Sequence, residues 1–351
     1  MSKFISNDVK LDFGDVQIVP NFGDIDSRSK VKLSRQYVMP ISGDTVFGSG
    51  IIAANMDGVG TFEVADVLSK FGVWTALHKN YSVEELVQYF NRMPDLSTVE
   101  ESTVFYSMGL SENDYNKLND VKKKTPINFI CIDAANGYMD SFYEFIGTIR
   151  DENPFATIMA GNVVTPEAVE KANKYGADIV KLGIGPGAMC TTRLVTGVGY
   201  PQLSCILDSV QAADECGIYL CSDGGCVEPG DVSKALVAGA DFVMLGSMLA
   251  GTDEGGGDVI DGRIQFYGMS SKTANDKHFG GLKDYRSSEG RTTMIPYKGT
   301  MEKVITHILG GVRSSCTYTG SKTVGELAIR GNFIRVNNTH NRSYEQHTIG
   351  Y

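Results

Sequence analysis

An α/β fold, an eight-stranded parallel (β/α)8 (TIM) barrel, is what these 351 residues predict. Three observations point there. Short apolar runs recur along the chain, each followed by a stretch of helical period, the mark of repeated βα units. The runs number eight and span roughly the 250 residues that a closed barrel needs. No G-x-G-x-x-G follows the first run to open a helix, as a dinucleotide-binding open sheet would require.

The expected strands begin at Ile51-Ile52-Ala53-Ala54 and Val73-Trp74-Thr75-Ala76-Leu77. Thr103-Val104-Phe105-Tyr106, Phe129-Ile130-Cys131-Ile132 and Thr157-Ile158-Met159-Ala160 follow. Asp178-Ile179-Val180-Lys181-Leu182, Ile218-Tyr219-Leu220-Cys221 and Phe242-Val243-Met244-Leu245 complete the set. Helical patterns are expected at Thr61 to Lys70, Ser82 to Asn91, Pro166 to Tyr175 and Pro229 to Leu236. Most strands end in polar or glycine-rich residues, and in a barrel these endings gather at the C-terminal mouth, where such enzymes hold their sites. The stretch 251–299 is too long for a simple connection and reads as a functional flap. A closing helix near Met301 to Leu309 and a polar tail over 332–351 finish a single domain spanning 1–351.

Composition narrows the function. Hydrophobic residues make up 42% and charged residues 21%, a soluble globular balance. The net charge of −10 argues against broad binding to nucleic acid or acidic membranes. No apolar run reaches the roughly 18 residues of a membrane span, and the N-terminal stretch has no signal-peptide core. The odd count of seven scattered cysteines suits reduced thiols in a cytoplasmic protein.

The strongest chemical signal is Gly183-Ile184-Gly185-Pro186-Gly187-Ala188-Met189-Cys190-Thr191-Thr192-Arg193. Its glycines and proline impose turns that expose consecutive N–H and C=O groups, suited to an anion on one face and a monovalent cation on the other. Cys190 stands at the apex beside Arg193, whose charge would favour thiolate. The other six cysteines read as buried structural thiols. Ser222-Asp223-Gly224-Gly225 and Gly246-Ser247 close the last two strands, where barrels often seat phosphate on backbone N–H groups. Asp223 would repel phosphate and is expected to accept hydrogen bonds from sugar hydroxyls. His78 ends a strand and reads as structural as readily as catalytic. The other histidines, in the excursion, closing helix and tail, read as solvated or locally packed.

Together with Ala53-Ala54-Asn55-Met56-Asp57, His78-Lys79, Thr196-Gly197-Val198-Gly199-Tyr200-Pro201-Gln202 and Tyr267-Gly268-Met269-Ser270-Ser271, the Cys190 loop resembles the IMP dehydrogenase / GMP reductase family. The resemblance covers Asp12 to Arg335. The dehydrogenase branch usually carries a regulatory tandem module after the second strand, for which this chain has no room, and an Arg-Tyr pair in the flap, which Ser270 to Tyr285 lacks. Asp284 to Arg291 and Asp133-Ala134-Ala135-Asn136-Gly137-Tyr138 look like the reductase branch.

That branch implies NADPH-dependent reduction of GMP to IMP and ammonia. Cys190 would attack purine C2, and Thr192 and Glu289 would form an acid–base dyad. The resemblance implies nucleotide contacts at Asp223, Gly224, Gly225, Gly246, Ser247, Gly268, Met269, Ser270, Arg286, Ser287, Ser288, Glu289 and Gly290. It implies dinucleotide contacts at Ser27, Arg28, Lys79, Asp133, Ala134, Ala135, Ile184, Gly185, Met269, Tyr285, Arg286, Ser314, Ser315 and Cys316. Backbone oxygens at Gly185, Gly187, Cys190 and Arg193 match the family's loop for a monovalent cation such as K+, and the family's assembly implies a homotetramer. Three positions depart from the reductase pattern. Ala188 stands where serine is usual, Ser247 where glycine is frequent, and Asn80 where histidine is frequent. A compact IMP dehydrogenase and a purine-nucleotide sensor without turnover are the alternatives.

Overall fold

The computed structural model describes residues 5–92, 103–278, 280–285 and 287–337. Eight parallel strands close into a barrel: β1 (Ile51–Ala53), β2 (Trp74–Ala76), β3 (Val104–Met108), β4 (Phe129–Asp133), β5 (Thr157–Val163), β6 (Ile179–Leu182), β7 (Tyr219–Asp223) and β8 (Phe242–Leu245). They neighbour one another in chain order, and β8 returns to β1 to complete the ring. Every expected strand is present. Residues of β1, β2, β3 and β6 are buried throughout, as strands covered on both faces must be.

The outer helices are α1 (Phe62–Leu68), α2 (Val83–Arg92), α3 (Glu112–Lys122), α4 (Asp140–Glu152), α5 (Pro166–Lys174), α6 (Gln202–Cys216), α7 (Pro229–Val237) and α8 (Met301–Thr319). Their starts are written locally. Thr61 caps α1 by accepting the Val64 N–H, Ser111 caps α3 through Asp114, and α5 and α7 begin with proline. The closing helix α8 runs well past Leu309, because its apolar face (Ile305, Ile308, Val312, Cys316) continues to be buried to the end.

Two features lay outside the sequence reading. Strands 35–38 and 45–48 form an antiparallel hairpin across the N-terminal end of the barrel. Tyr37 from this hairpin stacks on Phe242 at 4.4 Å and meets Trp74 edge-on at 5.4 Å. Phe242 and Trp74 are the first residues of β8 and β2, so the aromatic group seals the bottom. All three are at most 1% exposed, worth about 1.5–3 kcal/mol each in burial. Of the barrel's two ends, the opposite mouth is the one left open to a ligand.

The second feature corrects the expected tail. Phe333–Arg335 is a strand, paired antiparallel with Val16–Ile18 near the start of the chain. The excursion over 251–299 is likewise more structured than a glycine-rich flap. Val259–Ile260, Arg263–Tyr267 and Thr292–Pro296 make a three-stranded antiparallel sheet, with a short helix at Lys272–His278. No helix among the described residues is long and apolar enough to cross a membrane.

Candidate active site

The strand ends of the mouth surround a cavity of about 250 Å³. Each wall comes from a turn that the sequence marks. Gly183 adopts φ +144°, and a Cβ there would come within 2.2 Å of the Asp223 carbonyl, so the loop after β6 can pack on β7 only with glycine. Gly224 and Gly225 follow β7 with φ +93° and +88°, which lets their backbone face the cavity without side chains.

Cys190 lies on that wall, half-buried, with its thiol 3.1 Å from the Thr192 hydroxyl. Thr192 in turn donates to Glu289 Oε2 at 2.8 Å. A thiol, a hydroxyl and a carboxylate thus form one continuous chain from two segments far apart in sequence. Backbone pairing holds them. Cys190 bridges Gly290 antiparallel, the Thr191 N–H donates to the Glu289 carbonyl at 2.9 Å, and Arg291 N–H donates to Met189 at 3.0 Å. The flap segment is therefore laid along the cysteine loop like an added strand.

Burial separates Cys190 from five of the other six cysteines. Cys131, Cys205, Cys221, Cys226 and Cys316 are buried, and burial pushes their thiols upward, to about 12 for Cys131, Cys205 and Cys316. Cys216 is half-buried and also raised, chiefly by burial. Cys190 and Cys226 both line the cavity, but of the two it is Cys190 whose thiol meets a hydroxyl–carboxylate pair, whereas Cys226 is buried with its thiol pushed upward. One expectation fails here. Arg193 does not lend its charge to Cys190: the guanidinium pairs with Asp12 at 3.1 Å and hydrogen-bonds the Tyr200 carbonyl. The side chain leads away because it packs along Gly185 and Gly199, whose missing Cβ atoms leave its channel open.

Of the nucleotide positions, Asp223, Gly224, Gly225, Gly246, Ser247, Gly268, Met269, Ser270, Glu289 and Gly290 line this cavity. Ser287 and Ser288 do not. The Ser288 hydroxyl donates to the Gly290 carbonyl and receives the Lys272 N–H, bracing the flap. Arg286 lies outside the described residues. Of the dinucleotide positions, Asp133, Ala134, Ala135, Ile184, Gly185 and Met269 line the same cavity. Ser27, Arg28, Lys79, Tyr285, Ser314, Ser315 and Cys316 do not. Lys79 lies 3.6 Å from Asp114, and Tyr285 is 83% exposed. The turn 28–30 packs on α8, which carries Ser314, Ser315 and the buried Cys316. The cation-loop positions Gly185, Gly187 and Cys190 sit in the cavity wall, with the Gly187 carbonyl already accepting the Cys190 N–H at 3.0 Å.

Other residues have evident work that the sequence did not reveal or left open. Asp57, 8% exposed, accepts from Tyr267 Oη (2.7 Å) and Asn80 Nδ2 (3.0 Å), with His278 Nε2 at 2.5 Å and Lys277 Nζ at 3.5 Å. Its carboxyl is held down at about 2: burial opposes ionisation, but the His278 and Tyr267 hydrogen bonds outweigh it. The Asp57 N–H also points at the Met269 sulfur, 3.4 Å away. This cluster fastens the flap to the end of β1. Burial depresses His78 to about 4, and its ring stacks on Tyr81 at 4.0 Å, so it is a neutral, packed residue near neutral pH. Lys298 donates to the carbonyls of Ser247 and Met248 at 2.9 and 3.0 Å, placing a cation behind the turn after β8.

A family model described as IMP dehydrogenase / GMP reductase domain matches residues 10–347. The chain belongs to this family. It is 50% identical over 337 residues to GMP reductase 2 of Homo sapiens, covering 95% of this chain and 96% of that one. It is 49% identical over 346 residues to the GMP reductase of Caenorhabditis elegans, covering 97% and 96%. It is 48% identical over 345 residues to a GMP reductase of Escherichia coli, covering 97% and 99%. In this family member the cavity, the cysteine loop and the docked flap segment form one continuous wall.

Proposed function

We propose that the protein is an NADPH-dependent GMP reductase, converting GMP to IMP and ammonia in purine nucleotide interconversion. The observation that carries this reading is the chain Cys190–Thr192–Glu289 at 3.1 and 2.8 Å inside the mouth. Cys190 attacks C2 of the purine, and the bond from C2 to the exocyclic nitrogen breaks. Glu289 passes a proton through the Thr192 hydroxyl to that nitrogen, because amide ion is too poor a leaving group to depart unprotonated. The sulfur adduct, a thioimidate, leaves C2 electrophilic and splits one difficult substitution into two easier steps. NADPH, when bound, supplies the hydride that C2 accepts as the sulfur leaves. One GMP, one NADPH and two protons give IMP, NADP+ and ammonium.

The remaining assignments follow from the walls. Gly224, Gly225, Gly246 and Ser247 offer the phosphate seat, with Lys298 behind it, and Asp223 accepts from the ribose hydroxyls. Gly268, Met269, Ser270, Glu289 and Gly290 cover the base from the flap side, and Ser288 supports that cover by bracing the segment. The reduced dinucleotide fits the wall of Asp133, Ala134, Ala135, Ile184 and Gly185, where small side chains leave room for a flat ring beside Cys190. Lys79 and Tyr285 extend that side. Ser27, Arg28, Ser314, Ser315 and Cys316 lie apart from the cavity, on the face where the turn 28–30 meets α8, and we assign them to the dinucleotide of a neighbouring subunit in a homotetramer. Backbone oxygens of Gly185, Gly187, Cys190 and Arg193 are the seat for K+. With seven free thiols, the enzyme belongs in the reducing cytoplasm.

Absorbance of the reduced nicotinamide tests the reading. NADPH should be consumed only when GMP is added, with IMP and ammonium formed in equal amounts. Reduction of NAD by IMP, with no NADPH consumption on GMP, would assign the chain to the dehydrogenase direction. Light scattering at working concentration should give four chains, and a monomer would overturn the shared-site assignment.

A further inference from the structure

Lys181 has no part in the chemistry above, yet it occupies the floor of the site. It projects from β6 into the barrel with a side chain only 1% exposed. Gly161 on β5 makes the space, since a Cβ there would stand 2.4 Å from Lys181 Cβ. The ammonium donates to Asp133 Oδ1 at the end of β4 and lies 3.4 Å from Asp223 Oδ2 at the end of β7. Asn162 braces the same Asp223 oxygen at 2.9 Å and donates to the Gly183 carbonyl at 2.9 Å. Burial works against the charge on Lys181, but the two carboxylates overcome it and hold the ammonium well above its usual range. Asp133 is correspondingly lowered, the ammonium outweighing the desolvation that opposes it. Enclosing an ion is costly, and a packing role filled by methionine would avoid that cost. Both carboxylates open onto the cavity, with side-chain exposures of 42% for Asp133 and 23% for Asp223.

We propose that Lys181 is a positioning residue shared by the two halves of the site, one ammonium orienting both Asp133 and Asp223. The inference rests on the reading that gives Asp223 to the nucleotide's ribose and Asp133 to the dinucleotide. A single cation held between two carboxylates makes their states interdependent. Neutralising Asp133 draws the ammonium onto Asp223 and removes acceptor capacity from the ribose hydroxyls. The nucleotide half therefore senses the dinucleotide half through Lys181.

The test is a double-mutant cycle read by isothermal titration of GMP with no NADPH present. Asp133→Asn should weaken GMP binding by about three- to tenfold, although Asp133 belongs to the other half. In a Lys181→Met background the same change should alter it by less than about twofold. Equal effects of Asp133→Asn in both backgrounds, or none on GMP in the otherwise unchanged chain, would overturn the proposal. A general loosening of the barrel would not make the effect of one substitution depend on the other. Should Lys181→Met fail to fold by circular dichroism, Asp133→Asn alone still decides, because unchanged GMP affinity refutes the coupling. Failure of the unsubstituted protein to bind GMP at all would instead refute the proposed function.

Discussion

Replacing Asp57 by asparagine probes the clamp between flap and barrel. The carboxylate is 8% exposed and has four partners: Tyr267, His278, Asn80 and Lys277. Its fall from an ordinary 3.8 to about 2 corresponds, at about 1.4 kcal/mol per unit, to about 2.5 kcal/mol of native-state stabilisation. The sign is that of a depressed acid: the contribution is complete above about 3.8 and disappears as pH falls through about 2. Asp57→Asn should therefore cost about 2.5 kcal/mol in denaturant unfolding at pH 7, and the deficit should stay flat down to about pH 4. An asparagine amide also turns a donor toward groups that donate, so the clamp loosens where Met269 enters the cavity. If the full amount falls on flap docking, kcat/KM for GMP drops about sixtyfold with NADPH saturating. A deficit below about 0.5 kcal/mol at pH 7 would refute the argument. So would one that changes between pH 8 and 5, where the Asp57 carboxyl is ionised in both the folded and the unfolded chain.

Four further substitutions test the proposed chemistry. Cys190→Ala should abolish turnover while GMP affinity stays within about tenfold by titration, since phosphate and ribose contacts carry binding; residual turnover would end the covalent mechanism. Glu289→Gln should slow ammonia release by about two to four decades, with much less effect on hydride exchange between IMP and cofactor; equal losses would remove it from the acid role. Ser247→Gly should weaken GMP by about ten- to a hundredfold, because Ala188 offers no hydroxyl to the same phosphate seat; Ala188→Ser should recover part of the loss, and an unchanged dissociation constant would leave Ser247 idle.

The barrel was legible because its signals are local. A buried parallel strand needs a short apolar run, and its mouth end needs a turn, so Phe129 to Asp133 or Phe242 to Ser247 can be read without knowing any neighbour. The Gly183 to Arg193 loop was legible for the same reason: its glycines encode backbone shape, and shape put Cys190 on display. What escaped depended on pairing between distant segments. The hairpin at 35–48 was invisible as a plug until β2 and β8 brought Trp74 and Phe242 together beneath Tyr37. Phe333–Arg335 reads as polar tail because its partner, Val16–Ile18, lies at the other end of the chain. Charge was the hardest to read. Arg193 is three residues from Cys190 in sequence, yet its guanidinium goes to Asp12. Lys181 looks like one polar residue in an apolar strand until closure sets Asp133 and Asp223 against it. Sequence determined which backbone shapes this chain can adopt and which thiol it displays. Only the closed barrel decided which charges meet, because a buried ion is tolerated only where opposite charges converge on it from separate strands.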